Sequence, residues 1–131
     1  MDGLCAESLA RSGAPYAVLS AGRYALPVRF RVREGAIECP VPAWTDLADD
    51  PAPPEVTLVA VTEEDGHLRW LFVRGVAQPV PDPDWTGLEL PTRGGARIDR
   101  NDLFQLLRIV PTRIERLDEA RGWGYRETVD L

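Results

Sequence analysis

Three arginines at alternate positions, Arg29, Arg31 and Arg33, are the side chains in this sequence best suited to chemistry. If Tyr24 to Val32 is a strand, period two puts Leu26, Val28, Phe30 and Val32 on one face. The three guanidinium groups then line the other face. Arg69 and Arg74 fall on a second strand candidate. Guanidinium groups bind phosphate with two parallel hydrogen bonds in fixed geometry. The same row also suits a solvated, charge-paired sheet face.

Other residues offer less. His67 is the only histidine and follows Asp65-Gly66 in a turn context. No G-x-S-x-G surrounds Ser12 or Ser20, so a serine triad lacks its frame. One His and two separated cysteines, Cys5 and Cys39, do not make a metal site or a disulfide framework. Carboxylates are plentiful but sit mostly in turns, and their spacing does not favour a glycosidase-type pair. Neither phosphate-cradling glycine motif is present, and Gly94-Gly95 stands outside any such loop. Trp70 reads as core. Trp44, Trp85 and Trp123 lie in loop contexts, where an aromatic covers a ligand or fills an interface.

The 131 residues fit one domain spanning 1–131. Hydrophobic residues make up 44% and charged residues 27%, which is ordinary for a globular chain with a packed core. All 15 basic residues are arginine, a pattern expected of a genome rich in G and C. The net charge of −6 disfavours binding to a phosphate backbone. No apolar stretch reaches the length of a membrane span, and no N-terminal apolar segment suggests export. The expectation is a cytoplasmic protein without nucleic-acid or membrane partners.

Positioning these side chains requires a β framework. Asp2 to Arg11 has the spacing of a short amphipathic helix, stopped near Gly13 and Pro15. Tyr16–Ser20, Tyr24–Val32, Ala36–Val41, Glu55–Thr62 and His67–Ala77 read as strands. Turns are expected at Ala21-Gly22-Arg23, Arg33-Glu34-Gly35 and Glu63–Gly66. Gly75 inside a strand suggests a bulge. Trp44–Ala48 suggests a helical turn. Pro79–Arg97 reads as a long surface loop, with one helical turn near Pro83–Gly87. Leu103–Val110 and Arg113–Leu117 are two further short strands separated by Pro111, and a tail with Gly on both sides of Trp123 follows. Six or seven hairpin-linked strands argue for an antiparallel barrel or sandwich.

The order of these segments resembles the pyridoxamine 5′-phosphate oxidase-like proteins. Y-A-L-P-V-R-F-R-V-R-E-G-A-I-E-C-P-V-P-A-W-T-D-L is similar to their second and third strands. E-V-T-L-V-A-V and R-W-L-F-V-R-G-V-A-Q-P-V resemble the next hairpin, and L-L-R-I-V-P-T-R-I-E-R-L-D their closing strand pair. The likeness runs from about Leu4 to Asp118. It implies a six- to seven-stranded antiparallel split β-barrel with a short N-terminal helix and one or two further short helices. It also implies a homodimer with FMN in the clefts between subunits, acting as a flavin-dependent oxidoreductase.

On this resemblance Leu26, Val28, Arg29 and Arg31 line the flavin, with Arg29 or Arg31 on its phosphate. Trp44 and Thr45 lie beside the phosphate, and Trp123 and Arg126 complete or cover the site from the tail. The protein would then need no catalytic nucleophile, because the flavin carries the redox chemistry. One segment departs from the family: A-W-T-D-L-A-D-D at 43–50 has three Asp and no basic residue. Like charges beside a dianion weaken its binding. The alternative is a non-catalytic split-barrel dimer that binds flavin weakly, another ligand, or none.

Overall fold

Positive φ at two successive positions closes the tightest hairpins, and the chain uses this twice. Glu34 and Gly35 have φ of 52° and 75°, and Asp65 and Gly66 have 52° and 79°. A two-residue turn of this hand matches the twist of the strands it joins. The computed structural model describes residues 3–45, 47, 55–88 and 103–131. A helix, α1 (Ala6–Arg11), precedes four strands: β1 (Ala17–Ala21), β2 (Tyr24–Val28), β3 (Arg31–Arg33) and β4 (Ala36–Pro42). A 3-10 turn (Ala43–Thr45) follows, then β5 (Val56–Glu64), β6 (His67–Pro79) and β7 (Phe104–Asp118). A second 3-10 turn (Glu119–Arg121) leads to β8 (Arg126–Asp130).

The strands form one antiparallel sheet with the path β2-β1-β5-β6-β7-β4-β3, curled into a half-barrel. β7 is long enough to serve three neighbours. One edge pairs with β6, and the other pairs with β4 along Phe104–Ile109 and with β8 along Arg113–Leu117. Cross-strand partners share a face, so register reveals the core. Leu26, Leu19, Leu58, Val73, Ile114 and Val129 form a continuous row across six strands. Leu19, Leu58, Val73 and Ile114 are fully buried. Each such side chain contributes about 1.5–3 kcal/mol by leaving water. Leu4 and Leu9 of the helical segment pack onto this concave face. Cys39 and Ile37 are both sealed in the core, as their alternation implies.

Five expectations need correction. Tyr24–Val32 is two strands, not one: β2 ends at Val28 and β3 begins at Arg31. β2 and β3 are the two ends of the sheet path, so residues 29 and 30 bridge the curled sheet from one end to the other. Alternation continues through this crossing because Val28, Phe30 and Val32 all pack toward the core, so the pattern conceals the break. Leu103–Val110 and Arg113–Leu117 are instead one strand, β7. The register slips between Arg74 and Gly75, which places Pro111 opposite Gly75. A bulge tolerates proline because the missing N–H falls where the ladder is already interrupted.

The tail after Trp123 is also a strand, β8, stabilised by pairing with the exposed edge of β7. The helical turn expected over Trp44–Ala48 is a 3-10 turn one residue earlier, at Ala43–Thr45. In the expected surface loop, β6 runs on to Pro79, and Trp85–Leu88 is a hydrogen-bonded turn rather than a helix. Asp2, Asp49–Pro54, Gly94-Gly95 and the rest of that loop to Arg97 lie outside the described residues.

Candidate functional site

The crossing between β2 and β3 separates the three arginines. Arg31 turns onto Glu38, its cross-strand partner on β4, with Nε 2.8 Å from Oε1. Glu38 is 4% exposed, and a buried carboxylate needs such a partner. The terminal nitrogens of Arg31 donate to the carbonyls of Asp84 and Thr86. Arg33 lies 3.0 Å from the Asp84 carboxylate and 3.9 Å from Glu38. Hydrogen bonds from Thr86, and then from Arg33, hold the Asp84 carboxyl far below the usual range. The bond to Asp84 in turn raises Arg33. Arg31 and Arg33 therefore clamp residues 84–86 over the sheet, and their guanidinium donors face protein acceptors.

Arg29 stands apart from this clamp. It is exposed, and its contact is one long bond, 3.4 Å, to the Pro15 carbonyl. It forms the rim of a groove of about 400 Å³ whose walls include Tyr16, Pro27, Val28, Pro42 and Phe104. This volume lies within the roughly 300–1,000 Å³ of small-molecule sites. An apolar trough with one available cation suits a flat ring carrying an anionic group. Leu26 belongs to the core row behind this wall.

Trp44 and Thr45 flank the same end of the sheet. Trp44 is 68% exposed and meets Tyr24 edge to face, with centroids 5.9 Å apart. Thr45 is buried. Its hydroxyl donates to the Pro42 carbonyl at 2.7 Å and accepts from the Leu47 N–H at 3.4 Å, which fixes the 3-10 turn.

Trp123 and Arg126 lie at the opposite end of β7. Arg126 pairs with Leu117, whereas Phe104 of the groove pairs with Pro42. At about 3.3 Å per residue, roughly 40 Å of strand separates the two ends. Trp123 is 96% exposed and edges an apolar hollow of about 240 Å³ with Trp70, Leu117 and Tyr125. Behind it, Glu127 accepts from Tyr125, Arg116 and Arg121, which lowers its carboxyl from the ordinary value. One chain thus gathers Val28 and Arg29 at one end and Trp123 and Arg126 at the other.

Arg69 and Arg74 do not join the strand-borne trio. Arg69 faces inward beside Asp118, while Arg74 lies opposite Arg113 on the outer face. Sequence reasoning missed Tyr16 and Phe104 as groove walls, because the topology alone brings residues 16, 28, 42 and 104 together. It also missed Asp84, whose anchoring role depends on a contact with β3 some fifty positions away. Burial pushes the Cys39 thiol up, so it is not a nucleophile at neutral pH. His67 is exposed at its hairpin, and no cluster of metal-ligating side chains occurs among the described residues. No helix among the described residues is long and apolar enough to cross a membrane.

The sequence matches no protein-family model and no curated protein. Its structure matches solved ones along nearly their whole length. A FAD-binding protein from Mesorhizobium loti superimposes with a TM-score of 0.67 at 14% identity, covering 88% of this chain and 95% of that one. The FAD binding protein from Mycobacterium smegmatis gives 0.62 at 18% identity, with 85% and 91% covered. A provisionally named pyridoxamine 5′-phosphate oxidase from Corynebacterium glutamicum gives 0.62 at 23% identity, with 95% and 94% covered. The chain therefore has the split-barrel fold that these proteins share, as the strand order in the sequence implies.

Proposed function

We propose that the chain is a flavin-binding homodimer, with FMN as its cofactor, that acts as an oxidoreductase. The observation that carries this reading is Arg29 on the rim of the apolar groove. Of the three alternating arginines, it alone lies outside the Glu38–Asp84 clamp. The residues present fit the group. Val28, Pro42 and Phe104 offer a slot for the flat ring, and Arg29 offers a charged donor for the phosphate. Bound flavin would supply hydride or electron transfer, which agrees with the absence of a nucleophile–base pair in the sequence.

The placement of the groove and Trp123 at opposite ends of the long strand β7 supports the dimer. A second copy can bring its Trp123 and Arg126 to the groove, and the first copy's own tail cannot. The outer sheet face supplies an apolar surface for that contact. Val61 and Trp70 are cross-strand neighbours there, and Val18 and Val61 are exposed.

The test is titration of the purified protein with FMN, following flavin fluorescence. Saturable quenching at roughly micromolar FMN supports the reading. A colourless protein that leaves FMN fluorescence unchanged at that level overturns it.

A second reading, a non-catalytic binding module, draws on 43–50. This segment carries no basic residue, and the Thr45 hydroxyl is already engaged. A flavin-loaded protein whose flavin dithionite reduces chemically but neither NADH nor NADPH reduces would favour it.

A further inference from the structure

We infer that the mouth of the half-barrel beneath α1 binds a small organic anion, at a site separate from the Arg29 groove. The concave face is apolar at its centre but changes character toward the β5–β6 turn. There Thr62 faces Arg69 across one ladder, and Arg116 follows Ile114 by two positions on the same face. Helix α1 lays Ser8 and Arg11 beside this end, forming one wall of an open cavity of about 280 Å³. Three guanidinium groups line it, with the hydroxyls of Ser8 and Thr62 and an apolar floor that includes Leu71. None of the described residues lining it is acidic.

Carboxylates do neutralise two of the arginines, but from outside the cavity. Arg69 reaches Glu64 at 3.0 Å and Asp118 at 3.5 Å. Arg116 holds Glu127 through one terminal nitrogen, at 2.9 and 2.8 Å from its two oxygens. Two donors remain. The Nε of Arg116 is buried and has no hydrogen-bond partner among the described residues. Arg11 donates to the Cys5 sulfur at 3.8 Å and to the Ser8 hydroxyl at 3.4 Å, and the carboxylate nearest to it on α1 is the exposed Glu7, which does not line the cavity. An orphaned buried N–H is costly unless an acceptor arrives. A carboxylate or phosphate head meets that need, and Leu71 receives an apolar body. The volume falls just below that of drug-sized pockets, so the ligand is small.

Phenyl phosphate and benzoate, with neutral benzyl alcohol as control, test the site by calorimetry on the full chain. The expected result is saturable binding of one or both anions at roughly millimolar concentration or below, and none of the alcohol. Arg11→Gln should weaken binding at least about tenfold, as expected for losing a charge-assisted bond. The titrations are repeated in Arg29→Ala, whose groove has lost its cation, and the Arg11-dependent binding should persist there with the same affinity. Arg11 is exposed on α1, so its variant keeps the fold, and an unaltered thermal midpoint verifies this. Absence of saturation, equal binding of the alcohol, unchanged affinity in Arg11→Gln, or loss of binding in Arg29→Ala each overturns the assignment. The Arg29 control also separates failure here from failure of the flavin reading.

Discussion

Arg31 Nε and Glu38 Oε1 lie 2.8 Å apart across the β3–β4 ladder, with side chains only 12% and 5% exposed. This pair fixes both the short edge strand and the segment that crosses it, since the same guanidinium holds the carbonyls of Asp84 and Thr86. Removing one member strands a buried charge. Arg31→Met should therefore cost about 3–5 kcal/mol in urea denaturation, and Arg31→Met/Glu38→Leu should recover most of it. A double variant no better than the single one would show that the pair is not the source of the loss.

Arg29 sits two positions away, and its removal should have a different effect. Arg29→Ala should weaken FMN roughly tenfold to a hundredfold, the worth of a charge-assisted hydrogen bond, while riboflavin binding stays nearly constant. The urea midpoint should not move, because Arg29 is exposed and held by one long bond. Equal losses for the two flavins would place the phosphate elsewhere.

Gly75 has no room for a side chain. A Cβ there would lie 2.5 Å from the Val110 carbonyl oxygen and 2.7 Å from a methyl of Ile109. Gly75→Ala should destabilise by about 1–3 kcal/mol through forced separation of β6 and β7. The denaturation midpoint checks this, and an unchanged midpoint would mean that the bulge relaxes freely.

Trp123 is almost wholly exposed, so Trp123→Ala should leave the fold within about 0.5 kcal/mol. It should shift sedimentation from dimer toward monomer and reduce FMN affinity together. A variant that stays dimeric and binds FMN normally removes Trp123 from the interface and from the site.

Acid should loosen both ends of the sheet. The Asp84 and Glu127 carboxyls are held below their ordinary values of 3.8 and 4.5 by hydrogen bonds, from Thr86 and from Tyr125 first. Groups lowered by folding stabilise it fully above their unfolded values, and that contribution disappears as pH falls through the folded ones. Stability should thus decline below about pH 4.5, and Asp84→Asn should flatten the decline. A pH profile identical in wild type and Asp84→Asn would refute the assignment.

Much of this fold was legible because period-two alternation and turn chemistry are local signals. Glu34-Gly35, Asp65-Gly66 and the Gly75 bulge stand in the sequence almost as they stand in the sheet. The errors share a cause. Val28, Phe30 and Val32 face the core on both sides of the crossing, so alternation could not reveal that residues 29 and 30 leave one strand for another. Pro111 looked like a terminator because its tolerance depends on Gly75, which is distant in sequence. β8 carries little apolar pattern and exists through the edge that β7 offers it. The site was less legible than the fold. Val28 and Arg29 were named as flavin-lining residues through the resemblance alone, the groove they line is completed by residues 16, 42 and 104 that no local signal joins to them, and Arg31 is engaged by carbonyls more than fifty positions away.

The length of β7 also dictates when the protein can fold as it is made. β4 and β6 both find a neighbour on this one strand, and neither can complete its pairing until residues 104–118 have been synthesised. The first hundred residues must wait on the ribosome with β4 and β6 unpaired along those edges, exposed to other chains. Ending synthesis before Phe104 should therefore deprive the whole sheet of its centre, and such a fragment should aggregate rather than persist as a smaller barrel.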